Sequence, residues 1–337
     1  MSRPGTTHPE VTGDAEVTGA GRGPSPAPGR PRGNTRRLSR WVIAIFAVGI
    51  LVIGGAVVYR NSSGSGSGSA SSGSSGSWTT TWSDNFSGAA GSAPSSSNWI
   101  TSTGTGYPGG AAHWGTGETE TYTDSRDNLA LDGRGHLEIT ATRNDAGAWT
   151  SARIETRQTG FQAAPGHVLR VEARLQTPGG GAGYWPAFWM LGAPFRGVYT
   201  NWPRVGEIDI MENSGGAPTT VHGTFHCGVD PGGPCNETNG ISGQDTGPSA
   251  LSAGFHTYAV EWDRTAPVEQ IRWYVDGKQY FTVRSDQVDA TTWANATHHG
   301  FFILLNLAVG GSFPGPTDAT TQPSGSMLVD YVQVSHN

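Results

Sequence analysis

The most restrictive feature of this 337-residue chain is a succession of short β-type runs over residues 78–337. Runs of roughly five to eight apolar or alternating residues are separated by Gly, Pro, Asn and Asp, and no helical period of useful length interrupts them. Asp276-Gly277, which stands between two such runs, is a strong β-hairpin signal. These features predict one all-β domain, a two-sheet sandwich or jelly roll, with a core large enough to fold unaided.

The segment 206–213 (GEIDIMEN) places three carboxylates within an otherwise apolar run. Side chains in a β-strand alternate between two faces, so Glu207 and Asp209 share a face while strict alternation would send Glu212 into the core. A β-bulge at Ile210-Met211 adds one residue and returns Glu212 to the acidic face. Because glycoside hydrolysis uses two carboxyl groups that flank the sugar bond, the segment predicts a glycosidase site.

Aromatic residues stand close to these acids in the sequence. Sugar rings present C–H faces that stack on indoles, so exposed tryptophans beside paired carboxylates suit a saccharide cleft. We expect Trp185 and Trp202 to line that cleft, together with Trp114 from farther upstream. Phe188 and Trp189 are expected to pack in the core instead.

The first 77 residues divide into three segments of different composition. Residues 1–40 have almost no large apolar side chain, which predicts a disordered Arg/Pro-rich tail. Residues 41–59 (WVIAIFAVGILVIGGAVVY) carry no charge and are long enough to cross a bilayer as one transmembrane helix. Residues 60–77 are rich in Gly and Ser, which predicts a flexible linker.

The distribution of arginine around residues 41–59 predicts their orientation. Arg36, Arg37 and Arg40 precede the apolar segment, whereas only Arg60 follows it closely. The positive-inside rule then predicts a single-pass signal-anchor in the cell membrane, with a cytoplasmic tail and the folded domain outside the cell. The alternative is a cleaved signal peptide with a long basic n-region, which would release a secreted protein.

The charge of the folded part argues against nucleic acid as a partner. Residues 1–40 hold seven arginines against three acids, a net +4, while the whole chain carries −6, so the remainder carries about −10. Nucleic-acid-binding domains are instead basic. We expect a monomer whose partners are a polysaccharide and, through residues 41–59, a membrane.

Cys227 and Cys235 are the two cysteines of the chain. The predicted export places them in an oxidising compartment, so we expect a disulfide that closes one short loop rich in Gly and Pro. A metal site needs more ligands than this pair offers.

Six stretches, including the acidic segment, resemble glycoside hydrolase family 16 in its laminarinase-like form. The resemblance extends over roughly residues 78–337, and the stretches follow the family order. They are residues 183–191, 206–212, 261–263, 271–277, 306–311 and 328–332.

This resemblance implies a concanavalin-like β-jelly-roll with a substrate groove on its concave face. It also implies a retaining endo-hydrolase or transglycosylase in which Glu207 is the nucleophile, Glu212 the general acid/base and Asp209 the residue between them. The implied substrate is β-1,3-glucan of the laminarin type, with β-1,3-1,4-glucan and β-1,3-galactan as alternatives. No cofactor is required for this chemistry.

The resemblance also assigns residues outside the acidic segment. His226 matches a histidine near the family's acid/base, where it would bond a carboxylate or a sugar or be structural. Asn306, in a matching stretch, is expected to contact the substrate. Some members bind Ca²⁺ on the convex face through the residue that matches Asp330, so a structural Ca²⁺ is an additional expectation.

Two positions depart from the laminarinase pattern. Thr116 and Glu120 stand where an Asn and a Gln are usual, which leaves the outer sugar subsites and the preferred glucan open. A non-catalytic sugar-binding or wall-attachment protein on the same fold is a different class of function. The retention of all three acids on one strand argues against that class.

Overall fold

A computed structural model describes residues 77–337, which form a sandwich of two β-sheets around one apolar core. The predicted all-β jelly-roll sandwich is therefore confirmed. We number the strands in chain order and call the two layers the cleft sheet and the back sheet.

The cleft sheet contains seven strands of the described range, all antiparallel, in the order β12-β11-β10-β9-β16-β7-β2. Its strands are β2 (Trp99–Ser102), β7 (Arg153–Thr156), β9 (Tyr184–Gly192), β10 (Glu207–Glu212), β11 (Thr220–His226), β12 (Ile241–Thr246) and β16 (Phe301–Val309).

The back sheet contains ten strands of the described range, in the main order β15-β14-β13-β8-β17-β5-β6-β3, with β1 on β17 and β4 on β5. Its pairs are antiparallel except β3 with β6. Its strands are β1 (Thr79–Asp84), β3 (Thr121–Tyr122), β4 (Leu129–Leu131), β5 (Leu137–Arg143), β6 (Trp149–Ser151), β8 (Val168–Gln176), β13 (His256–Asp263), β14 (Gln270–Val275), β15 (Lys278–Arg284) and β17 (Ser324–His336).

A short helix, α1 (Ala290–Thr297), was not predicted from the sequence. The Asp289 side chain caps it by accepting hydrogen bonds from the backbone N–H groups of Thr291 and Thr292. Trp293 is buried in the core and gives the helix a tertiary anchor. The helix is too short for its apolar period to stand out in the sequence. The 3₁₀ segments of the described range are Ala112–Gly115, Ala193–Phe195, Leu251–Ala253 and Ser285–Gln287.

The predicted bulge in β10 is present and sets the direction of its side chains. Asp209 faces Trp189 on β9, and the next partner pair on that side is Met211 with Phe188, so two residues of β10 oppose one of β9. Ile208, Ile210 and Met211 consequently belong to the buried core.

A hydrogen bond across the sandwich supports the bulged strand. Trp273 on β14 is fully buried, and its indole N–H donates to the backbone carbonyl of Asp209 at 2.7 Å.

The predicted hairpin at Asp276-Gly277 is confirmed between β14 and β15. Both turn residues have positive φ, as the favoured two-residue hairpin turn requires.

The predicted disulfide between Cys227 and Cys235 is confirmed, with both residues buried and their Cα atoms 5.5 Å apart. It closes part of the connection between β11 and β12.

The predicted tail, the predicted transmembrane segment and the first seventeen residues of the predicted linker lie outside the described residues. The predictions for residues 1–40, 41–59 and 60–76 therefore stay predictions. Among residues 77–337, the structure has no helix of the length and apolar character needed to cross a membrane.

Candidate active site

A cleft of about 210 Å³ opens on the face of the cleft sheet that points away from the core. The three acids of β10 meet there with each of the tryptophans predicted to line a saccharide site, and with the predicted asparagine. The predicted residues in its lining are Trp114, Trp185, Trp202, Glu207, Asp209, Glu212 and Asn306.

The acids have different hydrogen-bond partners, which makes the site asymmetric. Asp209 Oδ2 lies 3.2 Å from His226 Nε2, and Glu207 Oε1 lies 4.0 Å from the same nitrogen. Glu212 instead accepts a hydrogen bond of 2.8 Å from the indole N–H of Trp185. One end of the acidic row therefore faces an imidazole and the other end faces a neutral donor.

His226 is placed to carry a positive charge. Its Nε2 faces Asp209, and its Nδ1 lies 2.7 Å from Oε2 of Glu237, a residue not singled out from the sequence. Burial by itself would lower the pKa of His226, but the hydrogen bonds to Asp209 and Glu237 outweigh it and raise that pKa well above its ordinary value. The imidazolium is thus a positive charge that offsets the acids of β10, and its effect on Glu207 exceeds that of the Arg153 guanidinium.

The two glutamates hold their protons more strongly than an exposed glutamate does. Burial, and then the charge of Asp209, raise the pKa of Glu212 to about 8. The same two causes raise the pKa of Glu207 well above its ordinary value, while the His226 charge opposes them. Near neutral pH, the site therefore retains at least one shared proton, and negative charge is most stable beside His226.

The floor of the cleft is a chain of hydrogen bonds between side chains. Trp189 Nε1 donates to Asn306 Oδ1 at 2.7 Å, and Asn306 Nδ2 donates to the Tyr122 hydroxyl at 3.1 Å. That hydroxyl donates to Glu118 Oε2 at 2.8 Å, and Thr116 Oγ1 donates to Glu118 Oε1 at 2.7 Å. The side chains of the floor therefore hold one another in place.

The expectation that Phe188 and Trp189 both pack in the core is half right. Phe188 is fully buried there, but Trp189 is only half-buried and lines the cleft. The two residues are neighbours in β9, so the pleat sends them to opposite faces of the sheet.

Sequence reasoning did not identify Arg153, a cation that packs against aromatic rings of the cleft. Arg153 on β7 is buried, with its guanidinium carbon 4.5 Å from the Trp114 ring centre and 4.7 Å from that of Trp189. It also donates to the hydroxyl of Tyr107, whose ring stacks on Tyr199 with centres 4.3 Å apart. Tyr107 and Tyr199 come from irregular loops, where no period or motif indicates that they reach the cleft.

Glu120, one of the two positions that depart from the laminarinase pattern, does not line the cleft. The residue is fully buried, and its Oε2 accepts a hydrogen bond of 2.7 Å from the Val309 backbone N–H. Thr116 and Glu118, by contrast, line the cleft. Residues 118–120 precede β3 and lie outside the regular strands, so strand alternation does not assign the faces of Glu118 and Glu120.

The structure gives no support for calcium binding at Asp330. Ca²⁺ takes about six to eight oxygen ligands, whereas the Asp330 carboxylate forms an ion pair with Arg174. In residues 77–337, the one group spaced to hold a metal is Glu207, Asp209 and His226. His226 lies there between two carboxylates, which makes it an ion-pair partner rather than a free ligand.

Comparison with known proteins places this geometry in a family. A sequence model of glycosyl hydrolases family 16 matches residues 116–333. The crystal structure of an endo-1,3-beta-glucanase from Streptomyces sioyaensis is 55% identical, covers 77% of this chain and 96% of its own, and superposes with a TM-score of 0.75.

Two further relatives align over most of their length. A glucan endo-1,3-beta-glucosidase of Cryptopygus antarcticus is 31% identical, over 77% of this chain and 92% of its own. A beta-glucanase of Rhodothermus marinus is 34% identical, over 76% of this chain and 85% of its own.

Replacing Glu120 by Gln is expected to stabilise the folded protein at neutral pH. Burial and the neighbouring Glu118 raise the pKa of Glu120 well above the ordinary 4.5. The unfolded chain releases this proton first, so the folded state loses stability as the pH rises from that ordinary value towards the raised one. A Gln amide can accept from Val309 and donate to Glu118 without titrating.

The measurement is the free energy of unfolding in denaturant between about pH 5 and pH 8. Glu120→Gln should lose less stability than the wild type over this range. Glu138→Gln on β5 of the back sheet is the matched control and should behave as the wild type does. An equal pH dependence in all three proteins would contradict the argument.

Proposed function

The chain belongs to glycosyl hydrolases family 16, and on that basis we propose that it is a retaining endo-β-1,3-glucanase that acts on laminarin-type polysaccharide. The observation that carries the proposal is the row of Glu207, Asp209 and Glu212 on one face of a bulged strand, inside an aromatic cleft. The relatives named above as endo-1,3-beta-glucanase and glucan endo-1,3-beta-glucosidase support the choice of polymer.

Glu212 is assigned as the general acid/base. Its pKa of about 8 keeps it protonated at neutral pH, so that it can donate a proton to the oxygen of the departing sugar. The Trp185 N–H fixes one of its oxygens and leaves the other free for that transfer. After the first sugar leaves, the same carboxylate accepts a proton from the attacking water.

Glu207 is assigned as the nucleophile, which attacks the anomeric carbon and forms the glycosyl-enzyme intermediate. It must be ionised to do so, although burial and Asp209 disfavour its charge. The His226 imidazolium, 4.0 Å away, supplies the compensating charge. Asp209 lies between the two glutamates and bonds His226 directly, so it keeps that cation in place.

The aromatic walls provide stacking surfaces for successive sugars. Trp202 lies beside His226 at one side of the acids, with ring centres 5.5 Å apart. Trp114 lies over Arg153 at the other side, and its buried indole N–H has no acceptor among residues 77–337. A sugar hydroxyl is a fitting acceptor for that N–H.

The purified protein is expected to release oligosaccharides from laminarin faster than from lichenan, agarose or β-1,3-galactan. Product profiles by chromatography measure this. Fastest release from lichenan or galactan would instead favour a β-1,3-1,4-glucanase or an endo-β-1,3-galactanase. Binding without release from any of the four would favour a sugar-binding protein.

The matched variants for this experiment are Glu207→Gln and Glu138→Gln. Loss of the nucleophile should lower kcat on laminarin by roughly 10³-fold or more, because no covalent intermediate can form. The change at Glu138, on the back sheet, should leave kcat unaltered. An unchanged rate in Glu207→Gln would remove Glu207 from the mechanism.

The stereochemistry of the product provides an independent prediction. Two displacements at one carbon restore its configuration, so proton NMR of the earliest product should show the β-anomer, followed by slow mutarotation. The α-anomer as first product would indicate a single displacement by water and would exclude Glu207 as nucleophile.

We also propose that residues 41–59 anchor the protein in the cell membrane, with the catalytic domain outside. The uncharged length of this segment and the arginines before it support the proposal. The disulfide of the described domain is in keeping with an oxidising compartment.

The full-length chain should therefore sediment with membranes and resist carbonate extraction, and protease added to intact cells should digest its domain. A chain lacking residues 1–60 should remain soluble. Recovery of the full-length product from the medium, shortened after the apolar segment, would show instead that the segment is a cleaved signal.

A further inference from the structure

We propose that Glu237 is a positioning residue of the catalytic site, through which the disulfide-closed connection between β11 and β12 holds His226 against Asp209 and Glu207. We call residues 227–240 the disulfide loop. The proposal rests on the proposed function for its effect on turnover, but its central contact is independent of any substrate.

The Glu237 carboxylate joins the loop to the imidazole. Its side chain has no exposed surface, and Oε2 lies 2.7 Å from His226 Nδ1. Oε1 accepts a hydrogen bond of 2.8 Å from the backbone N–H of Cys227. One buried carboxylate is therefore shared between the half-cystine that starts the loop and the histidine that ends β11.

The disulfide loop is built to keep that carboxylate in place. The Cys227–Cys235 bond closes it, and Gly232 and Glu237 exchange two backbone hydrogen bonds of 2.6 Å each. Gly240 has a positive φ and packs on the ring, since a Cβ there would lie 3.0 Å from His226 Nδ1. The loop thus contacts His226 through the Glu237 carboxylate and the Gly240 backbone, and the disulfide restrains the segment that carries Glu237.

The contact between Glu237 and His226 affects the protonation of His226, which several charged groups face. Glu207, Asp209 and Glu212 act on it from β10, Glu237 acts from the disulfide loop, and the neutral Trp202 ring covers one side. If the Glu237 charge is removed, Nδ1 loses its ionic partner and the imidazolium gives up its proton more readily. Glu207 then loses the nearest charge that favours its ionised form.

The test compares Glu237→Gln with the wild-type chain on laminarin. We expect kcat to fall about 10- to 100-fold, the range found when partners that orient the ligands of metal sites are changed, with KM altered less than about twofold. In the wild type the alkaline limb of the pH–kcat profile reflects Glu212, whose pKa is about 8. In the variant this limb should move to lower pH, because His226 then deprotonates before Glu212 does. A purely structural residue would leave the profile of the folded protein unmoved.

The matched control is Glu269→Gln. Glu269 is half-buried, whereas Glu237 is fully buried, but it likewise bonds a histidine, since it lies 3.1 Å from His298 Nε2, and it contacts α1 rather than the cleft. Its loss should leave both kcat and the pH profile as in the wild type. A shift of the profile in this variant as well would mean that the effect is not specific to the disulfide loop.

Replacing both cysteines by alanine tests whether the disulfide acts through Glu237. If it does, the loss of kcat in Cys227→Ala/Cys235→Ala and that in Glu237→Gln should be strongly non-additive in the triple variant. Additive losses would contradict this link.

A substrate-free readout separates this inference from the proposed function. In the full chain labelled with ¹⁵N-histidine, the His226 signal, assigned by its loss in His226→Asn, should titrate at lower pH in Glu237→Gln than in the wild type. Equal titration would overturn the inference even if the enzyme is a glucanase, whereas an inactive wild type with the expected shift would overturn only the function.

If Glu237→Gln does not fold, Glu237→Asp provides the second test. This variant keeps the charge but withdraws it by one CH₂, so it should show a smaller shift in the same direction. The absence of that shift would contradict the inference.

Discussion

Repulsion among three carboxyl groups that are largely removed from water is the constraint on which the rest of the site depends. Glu207, Asp209 and Glu212 occupy one face of a six-residue strand, where burial disfavours the charged form of each glutamate. The protein compensates in two ways, by leaving a proton on Glu212 and by placing the His226 imidazolium at the opposite end of the row. Because these two measures act at different ends, one glutamate is suited to donate a proton and the other to carry charge.

Backbone geometry makes this arrangement possible. Without the extra residue in β10, Glu212 would point into the core, and the strand would present only two acids. A bulge disrupts the ladder locally, so its backbone groups need other partners. The Trp273 indole supplies one by reaching across the sandwich to the Asp209 carbonyl. The back sheet therefore contributes to the shape of the acidic strand although none of its strands lies beside β10.

The parts of this structure that follow from the sequence are those with a short-range period or a local motif. The strand alternation of β10, its bulge, the hairpin at Asp276-Gly277 and the cleft position of Trp185 are of this kind. Glu237 and Arg153 are not, because their roles arise from contacts between segments distant in the chain or from an irregular loop. Trp189 was misjudged and α1 was missed because one residue of strand phase, or one short helix, leaves too weak a pattern to decide between cleft, core and loop. Glu120 lies outside the regular strands, so no period in the sequence indicates that it is buried.

The hydrogen-bonded floor that runs from Trp189 through Asn306 and Tyr122 to Glu118 has a thermodynamic consequence. Its side chains have already lost their rotamer freedom before any sugar arrives, so little conformational entropy of the protein remains to be lost when a polysaccharide binds. Such a surface has little capacity to adjust to its ligand. Discrimination between polymers must then come from how well the curvature of the incoming polysaccharide matches a cleft whose shape does not change on binding.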